Sequence, residues 1–146
     1  LVYGQGVKGN FASMLRWVAQ GWPLPLAGAT QNRRSLVALD NLVDLIATCV
    51  QHPRAAGQVF LVSDGEDVSI AELLRRIAQA QGKRARLLWI PVGFIKWAAR
   101  LLGKDAVVQR LVGSLQVDIA KNRTLLGWHP PLNLDEGLRR AVQEAN

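Results

Sequence analysis

Residues 32–46 (Asn32-Arg33-Arg34-Ser35-Leu36-Val37-Ala38-Leu39-Asp40-Asn41-Leu42-Val43-Asp44-Leu45-Ile46) constrain this chain more than any other stretch. Two guanidinium groups come first, and the apolar run over residues 36–39 reads as a buried strand. Asp40 stands where a helix N-cap belongs, with a carboxylate that can accept from the first-turn amides. Leu42, Leu45, Ile46, Cys49 and Val50 then repeat at helical spacing and give that helix one apolar face. A pair of cations is thus delivered at the entrance of a rigid strand-to-helix unit. An arginine fork can bind two phosphate oxygens at once, so the pattern suits an anion. Spacing alone fits a pair of solvated surface charges at least as well.

Composition bounds the rest. At 146 residues and 49% hydrophobic, the chain is long enough for one domain with a core, and 20% charged residues without a low-complexity tract argue against disorder. The formal charge of +7 points to an anionic partner: a phosphate-bearing small molecule, nucleic acid or a membrane surface. A lone cysteine, Cys49, excludes an internal disulfide and suits a reducing, cytoplasmic compartment. No segment reaches the roughly 18 uninterrupted apolar residues of a membrane span, so no transmembrane segment is expected. The chain opens on Leu1-Val2-Tyr3-Gly4, which reads as the end of a strand and predicts a piece of a longer protein.

Strand-like residues 1–3 are broken by Gly4-Gln5-Gly6, and Asn10 can cap a helix over residues 11–20 that ends at Gly21. Pro23 and Pro25 forbid a helix there, leaving an extended segment running into Gly28. The continuous apolar run over residues 59–62 predicts a strand buried on both faces. Ser69 with Glu72 forms a capping box for a helix whose core side is Ile70, Leu73, Leu74 and Ile77. Residues 87–90 read as another strand, and Pro91 starts a helix reaching residue 102. That helix is apolar nearly all round, which predicts a helix sandwiched between other elements or at a subunit contact. A short helix over residues 106–112 follows. Asp118 caps one over residues 119–126 stopped by Gly127, and Asn133 with Glu136 caps a last helix carrying Leu134, Leu138, Ala141 and Val142 inward.

Chemistry-bearing motifs are few. His52 and His129 each lie beside a proline with no carboxylate or thiol at ligand spacing, so no metal site is expected. No serine sits in a nucleophile elbow, and no catalytic residue is assigned. The Gly4-x-Gly6-x-x-Gly9 spacing matches a dinucleotide fingerprint superficially, but no acidic ribose-binding residue stands about 20 residues on. It is not taken as a cofactor site.

Four elements in register resemble a known family. Val2-Tyr3-Gly4-Gln5-Gly6 resembles the Val-Tyr-Gly-Pro-Gly element of the nucleoside-diphosphate-sugar epimerases and dehydratases, the extended short-chain dehydrogenase/reductases. The arginine-led stretch ending in Leu39-Asp40-Asn41-Leu42-Val43 resembles their arginine-to-aspartate strand element. Gly57-Gln58-Val59-Phe60-Leu61-Val62, with Val68-Ser69-Ile70-Ala71-Glu72-Leu73-Leu74 after it, resembles their last sheet strand and next helix. Asp118-Ile119-Ala120-Lys121 with Leu126-Gly127-Trp128-His129-Pro130 resembles their closing signature.

The resemblance implies an α/β chain, helices with a few short strands, in which residues 1–146 are the carboxy-terminal, substrate-binding portion. The family's complete Rossmann domain, with its Gly-rich NAD(P) loop and Tyr-x-x-x-Lys pair, is absent. Tyr3, the sole tyrosine, is followed four residues later by Val7. NAD or NADP is therefore implied for the parent enzyme, an NAD-dependent, UDP-glucose 4-epimerase-like protein. The chain alone is expected to be inactive and to bind no cofactor. The implied partners are a UDP-sugar (UDP-hexose or UDP-N-acetylhexosamine) or another nucleoside-diphosphate sugar and the missing amino-terminal Rossmann half, with a homo-oligomer expected from unpaired strand edges. Residue by residue, the resemblance places Arg34 at the family's diphosphate arginine and Arg110 at a second one. Asn10 and Phe11 fall where a helix start meets the diphosphate. Leu26 and Ala27 fall at the nucleobase pocket, Ala27 replacing what is often an aromatic. Trp128, Asp118 and Lys121 read as structural. Two other classes stay in view: a basic nucleic-acid module, disfavoured by cations scattered in pairs, and a membrane-surface module through residues 89–104, disfavoured by the narrow polar stripe of its helix.

Overall fold

The computed structural model describes residues 1–6, 9–101, 103 and 113–143, with Lys96 described for its backbone only. In chain order these form β1 (Val2–Tyr3), α1 (Asn10–Ala19), β2 (Arg34–Ser35), β3 (Val37–Ala38), α2 (Leu39–Gln51), a 3-10 turn (Pro53–Ala55), β4 (Asp67–Val68), α3 (Ile70–Ala80), α4 (Val92–Leu101), α5 (Ala120–Leu126) and α6 (Leu134–Gln143). Among the described residues the architecture is α/β, six helices with short strands. Where composition predicts one core, the chain forms two compact units: Leu1–Lys8 with Ser35–Asp67 and Gln116–Asn146, and Gly9–Arg34 with Val68–Leu115.

The first unit is built on a parallel pair, β1 beside β3, in register Val2 with Val37 and Tyr3 with Ala38. A polar knot sits at its centre. The fully buried Asn41 donates through Nδ2 to Asp64 Oδ1 at 2.7 Å and to the Leu132 carbonyl at 2.8 Å, and accepts from the Leu132 amide at 2.9 Å. Asp64 also accepts from the Ala38 amide at 2.9 Å and from the Tyr3 hydroxyl at 2.6 Å. Buried polar atoms that are fully paired fix one arrangement, so this knot sets how β1, β3, α2 and the 132 turn meet. Beside it, Leu45, Ile119, Leu126 and Trp128 pack together, with Cys49, Phe60 and Val62 against them. Trp128 donates Nε1–H to Asp44 at 2.7 Å, as its reading as a packed structural aromatic requires.

Helix starts differ by one or two residues from the sequence reading at α1, α2, α4 and α5. Gly9 takes φ 94°, ψ −142°, a conformation open to glycine, so α1 begins one residue early at Asn10, whose side chain makes no capping bond. Likewise α2 begins at Leu39 after Ala38. Asp40 lies inside the first turn and pairs with Arg140 at 2.9 Å instead of capping. Other signals hold. Ser69 Oγ accepts from the Glu72 amide at 3.1 Å, Asn133 and Glu136 bond reciprocally at 3.0 and 2.9 Å, and Gly127 ends α5 at φ 65°. Asp118 accepts from the Ala120 amide at 2.8 Å, with α5 starting one residue later than expected.

The apolar run over residues 59–62 is not a buried strand. Val59 is 78% and Leu61 52% exposed, and no strand among the described residues pairs with it. Side chains from α5 take its carbonyls instead: Lys121 Nζ bonds the Val59 oxygen at 2.9 Å and Asn122 Nδ2 the Leu61 oxygen at 2.7 Å. A continuous apolar run reports burial potential, not the presence of neighbours. Residues 87–90 are similarly reduced to one bridge, Leu87 with Leu24. The helix expected over residues 106–112 lies outside the described residues.

In the second unit, α1 and α3 form the core. Phe11, Met14 and Val18 are buried on one and Ile70, Ala71, Leu73, Leu74, Ile77 and Ala78 on the other, as the helical spacing predicts. Each such leucine or isoleucine contributes about 2 kcal/mol by leaving water. Gln81 Nε2 and Lys83 Nζ bond the Leu15 and Ala19 carbonyls, tying the end of α3 to α1. Among the described residues no helix is long and apolar enough to cross a membrane.

Candidate functional site: an arginine held by the 113–115 segment

The residues singled out by the sequence fall in the second unit, so their geometry can be built from one scaffold. Arg34 is half-buried, and its Nε donates to the Gly113 carbonyl at 2.9 Å. The neighbouring backbone is stitched to the same segment: the Leu115 amide donates to the Arg33 carbonyl at 2.9 Å and the Arg33 amide to Ser114 Oγ at 3.1 Å. The Nε bond orients the Arg34 guanidinium, and the other two hold the Arg33 backbone against the same segment. Burial lowers its affinity for its proton below the usual value, the mark of a cation stripped of part of its water. A desolvated, oriented guanidinium is a pre-organised partner for a planar or bidentate anion.

Leu26 and Ala27 lie on a rigid strip. Leu24 exchanges bonds with Arg86 and Leu88 at 2.9 and 2.8 Å, and the Ala27 amide donates to the Leu88 carbonyl at 3.1 Å. Gly28 follows, where any Cβ would stand 2.6 Å from the Ile90 carbonyl oxygen, so only glycine lets the two segments approach. Leu26 is buried and Ala27 half-buried. From there the chain reaches Arg34 under the N-terminus of α3: the Ala71 amide donates to the Ala29 carbonyl and the Ile70 amide to Asn32 Oδ1 at 3.2 Å. Asn32 Nδ2 is buried with no hydrogen-bond partner among the described residues.

Asn10 opens α1 with an exposed side chain, while the Phe11 ring is buried in the core and could reach a ligand only through its backbone. Arg110 lies outside the described residues; Gly113 and Ser114, which follow it closely in sequence, are the groups bonded to Arg33 and Arg34. Sequence reasoning passed over Gly28, Asn32 and the role of Gly113. A Gly three residues after Pro25 and a polar residue just before two arginines were the available signals. Among the described residues no group of three His, Cys, Asp or Glu side chains is placed to hold a metal.

Over 143 residues the chain is 53% identical to a UDP-glucose 4-epimerase of Vibrio cholerae, a match covering 98% of the chain and 44% of that protein. This likeness agrees with the resemblance to the extended short-chain dehydrogenase/reductases. Solved structures share the fold. A dTDP-glucose 4,6-dehydratase of Bacillus anthracis in complex with NAD superposes with TM-score 0.70 at 19% identity, over 99% of the chain and 42% of that protein. A UDP-N-acetylglucosamine 4-epimerase of Bacillus cereus gives TM-score 0.71 at 15% identity, over 97% and 42%. No family model matches the chain. The chain spans less than half the length of the relatives it matches.

Proposed function

We propose that residues 1–146 are the nucleotide-sugar-binding, carboxy-terminal portion of an NAD(P)-dependent sugar epimerase, dehydratase or 4-keto reductase acting on a UDP-hexose or UDP-N-acetylhexosamine. The observation that carries this reading is Arg34, oriented by Gly113 and partly desolvated, in a chain 53% identical to a UDP-glucose 4-epimerase. Arg34, with Arg110 as a second cation, holds the diphosphate. The strip at Leu26 and Ala27 faces the base, and the start of α1 at Asn10 and Phe11 adds a positive helix end. Holding the diphosphate aligns the sugar for hydride transfer at its C4, a step for which the nicotinamide supplies the chemistry.

The Gly4-x-Gly6-x-x-Gly9 turn gives no support to a cofactor site on this chain. Gly4 is explained by packing, since a Cβ there would stand 2.9 Å from Leu39 Cβ, and not by a pyrophosphate. The cofactor is thus assigned to the other half of the parent enzyme. What supports such a half is an unfilled groove of about 610 Å³ on the first unit, lined by Leu42, Ile46, Cys49, Val50, Phe60 and Val62. Val43, Ile46, Val50, Val59 and Leu61 are exposed around it. Titration of the protein with UDP, UDP-glucose and UDP-N-acetylglucosamine tests the reading: all three should bind, and failure of UDP to bind would refute it.

A further inference from the structure

The positive charge and the exposed aromatic side chains of this chain belong to the same unit. Gly9–Arg34 and Val68–Leu115 hold twelve Lys and Arg against two Asp and Glu, a formal +10; the other unit holds six against nine, a formal −3. The four exposed aromatics among the described residues, Trp22, Trp89, Phe94 and Trp97, all lie in the cationic unit. Helix α4 shows how they are presented. Ile95 and Ala99 turn inward, while Phe94, Trp97 and Leu101, spaced i, i+3, i+7, share the outer face and are 58, 58 and 70% exposed. The Phe94 and Trp97 rings stack at 5.6 Å. Leu88 and Trp89, just before the helix, are exposed as well, and Lys83, Arg84, Arg86 and Arg100 stand exposed along the same stretch. Within the described residues this helix is not sandwiched, and of the two expectations for it the subunit contact is the one that its exposure leaves open.

We propose that this face docks on an anionic lipid bilayer, Trp89, Phe94, Trp97 and Leu101 entering the interfacial layer while the flanking lysine and arginines meet lipid phosphates. Indole rings favour that layer, because it wets their N–H edge and buries their apolar body, and the Phe94 and Leu101 side chains add apolar area to bury. The cations supply the charge complementarity an uncharged apolar partner would not need, and adjacent aromatic and basic groups give the two signals that stable surface binding takes. The residues of α4 are not assigned to the sugar-diphosphate site, so substitutions there separate the two readings, whereas Trp89 adjoins the Ala27–Gly28 strip and is left unchanged in the test.

The test is flotation of the full chain with vesicles of phosphatidylcholine alone and of phosphatidylcholine mixed with phosphatidylglycerol. The wild type should partition onto the mixed vesicles, less onto the neutral ones, and less at high salt. The F94S/W97S variant should bind the mixed vesicles about tenfold more weakly, and R84E/R86E should lose the preference for anionic lipid. Circular dichroism checks both folds, and UDP affinity should be unchanged in F94S/W97S. No partition of the wild type, or equal partition of wild type and F94S/W97S, overturns the proposal. So does a self-association or a DNA affinity that F94S/W97S abolishes while vesicle binding is absent.

Discussion

The Tyr3 hydroxyl donates to Asp64 Oδ2 at 2.6 Å across 61 residues of sequence, joining the first strand to the loop that precedes β4. Burial, then the hydrogen bond to Asp64 and its charge, push the phenol far above its usual value near 10. The stability this tyrosine contributes is therefore fully present below pH 10, where the unfolded phenol is still protonated. It is lost as pH rises above 10, by about 1.4 kcal/mol per pH unit. Since Tyr3 is the sole tyrosine, tyrosinate absorbance reports it alone. Ionisation should coincide with loss of helical circular dichroism. A phenol that titrates near 10 with the fold intact would contradict the buried bond.

Asn41 is the keystone of the same knot. Asn41→Ala removes three hydrogen bonds and leaves the Leu132 backbone short of its partners. The expected loss is about 2–4 kcal/mol, seen as a lower urea midpoint at unchanged slope.

Gly137 stands on α6 where a Cβ would overlap the Tyr3 hydroxyl and ring. Alanine normally favours a helix over glycine by about 1 kcal/mol, yet Gly137→Ala should destabilise, because overpacking costs about 1–3 kcal/mol. Combining it with Tyr3→Phe should return part of the loss relative to the sum of the two single changes. Strict additivity in thermal unfolding would show that the two residues do not touch.

Much of this was legible in the sequence because it is local. Helical periodicity picked the buried faces of α3 and α6, and the capping boxes at Ser69 and Asn133 stand where the spacing put them. What escaped was set by distant partners. Asp64 reads as a loop residue and Asn41 as one polar position in an apolar helix, and only folding brings them within 2.7 Å. Val59 and Leu61 carry the composition of an inner strand but lie exposed, since composition cannot report whether neighbouring strands are present. At the candidate site, Arg34 was visible through family resemblance, whereas the segment that orients it lies 79 residues away.

Whether Arg34 holds a diphosphate is read by calorimetric titration of UDP into wild type, Arg34→Ala and Arg34→Lys in the full-length protein. Arg34→Ala should weaken binding by roughly 2–3 kcal/mol, and Arg34→Lys should recover part, since an ammonium cannot reproduce the planar fork. The loss should be equal for UDP and a UDP-sugar and should leave NAD affinity unchanged. Unaltered UDP affinity in a folded Arg34→Ala protein would contradict the account.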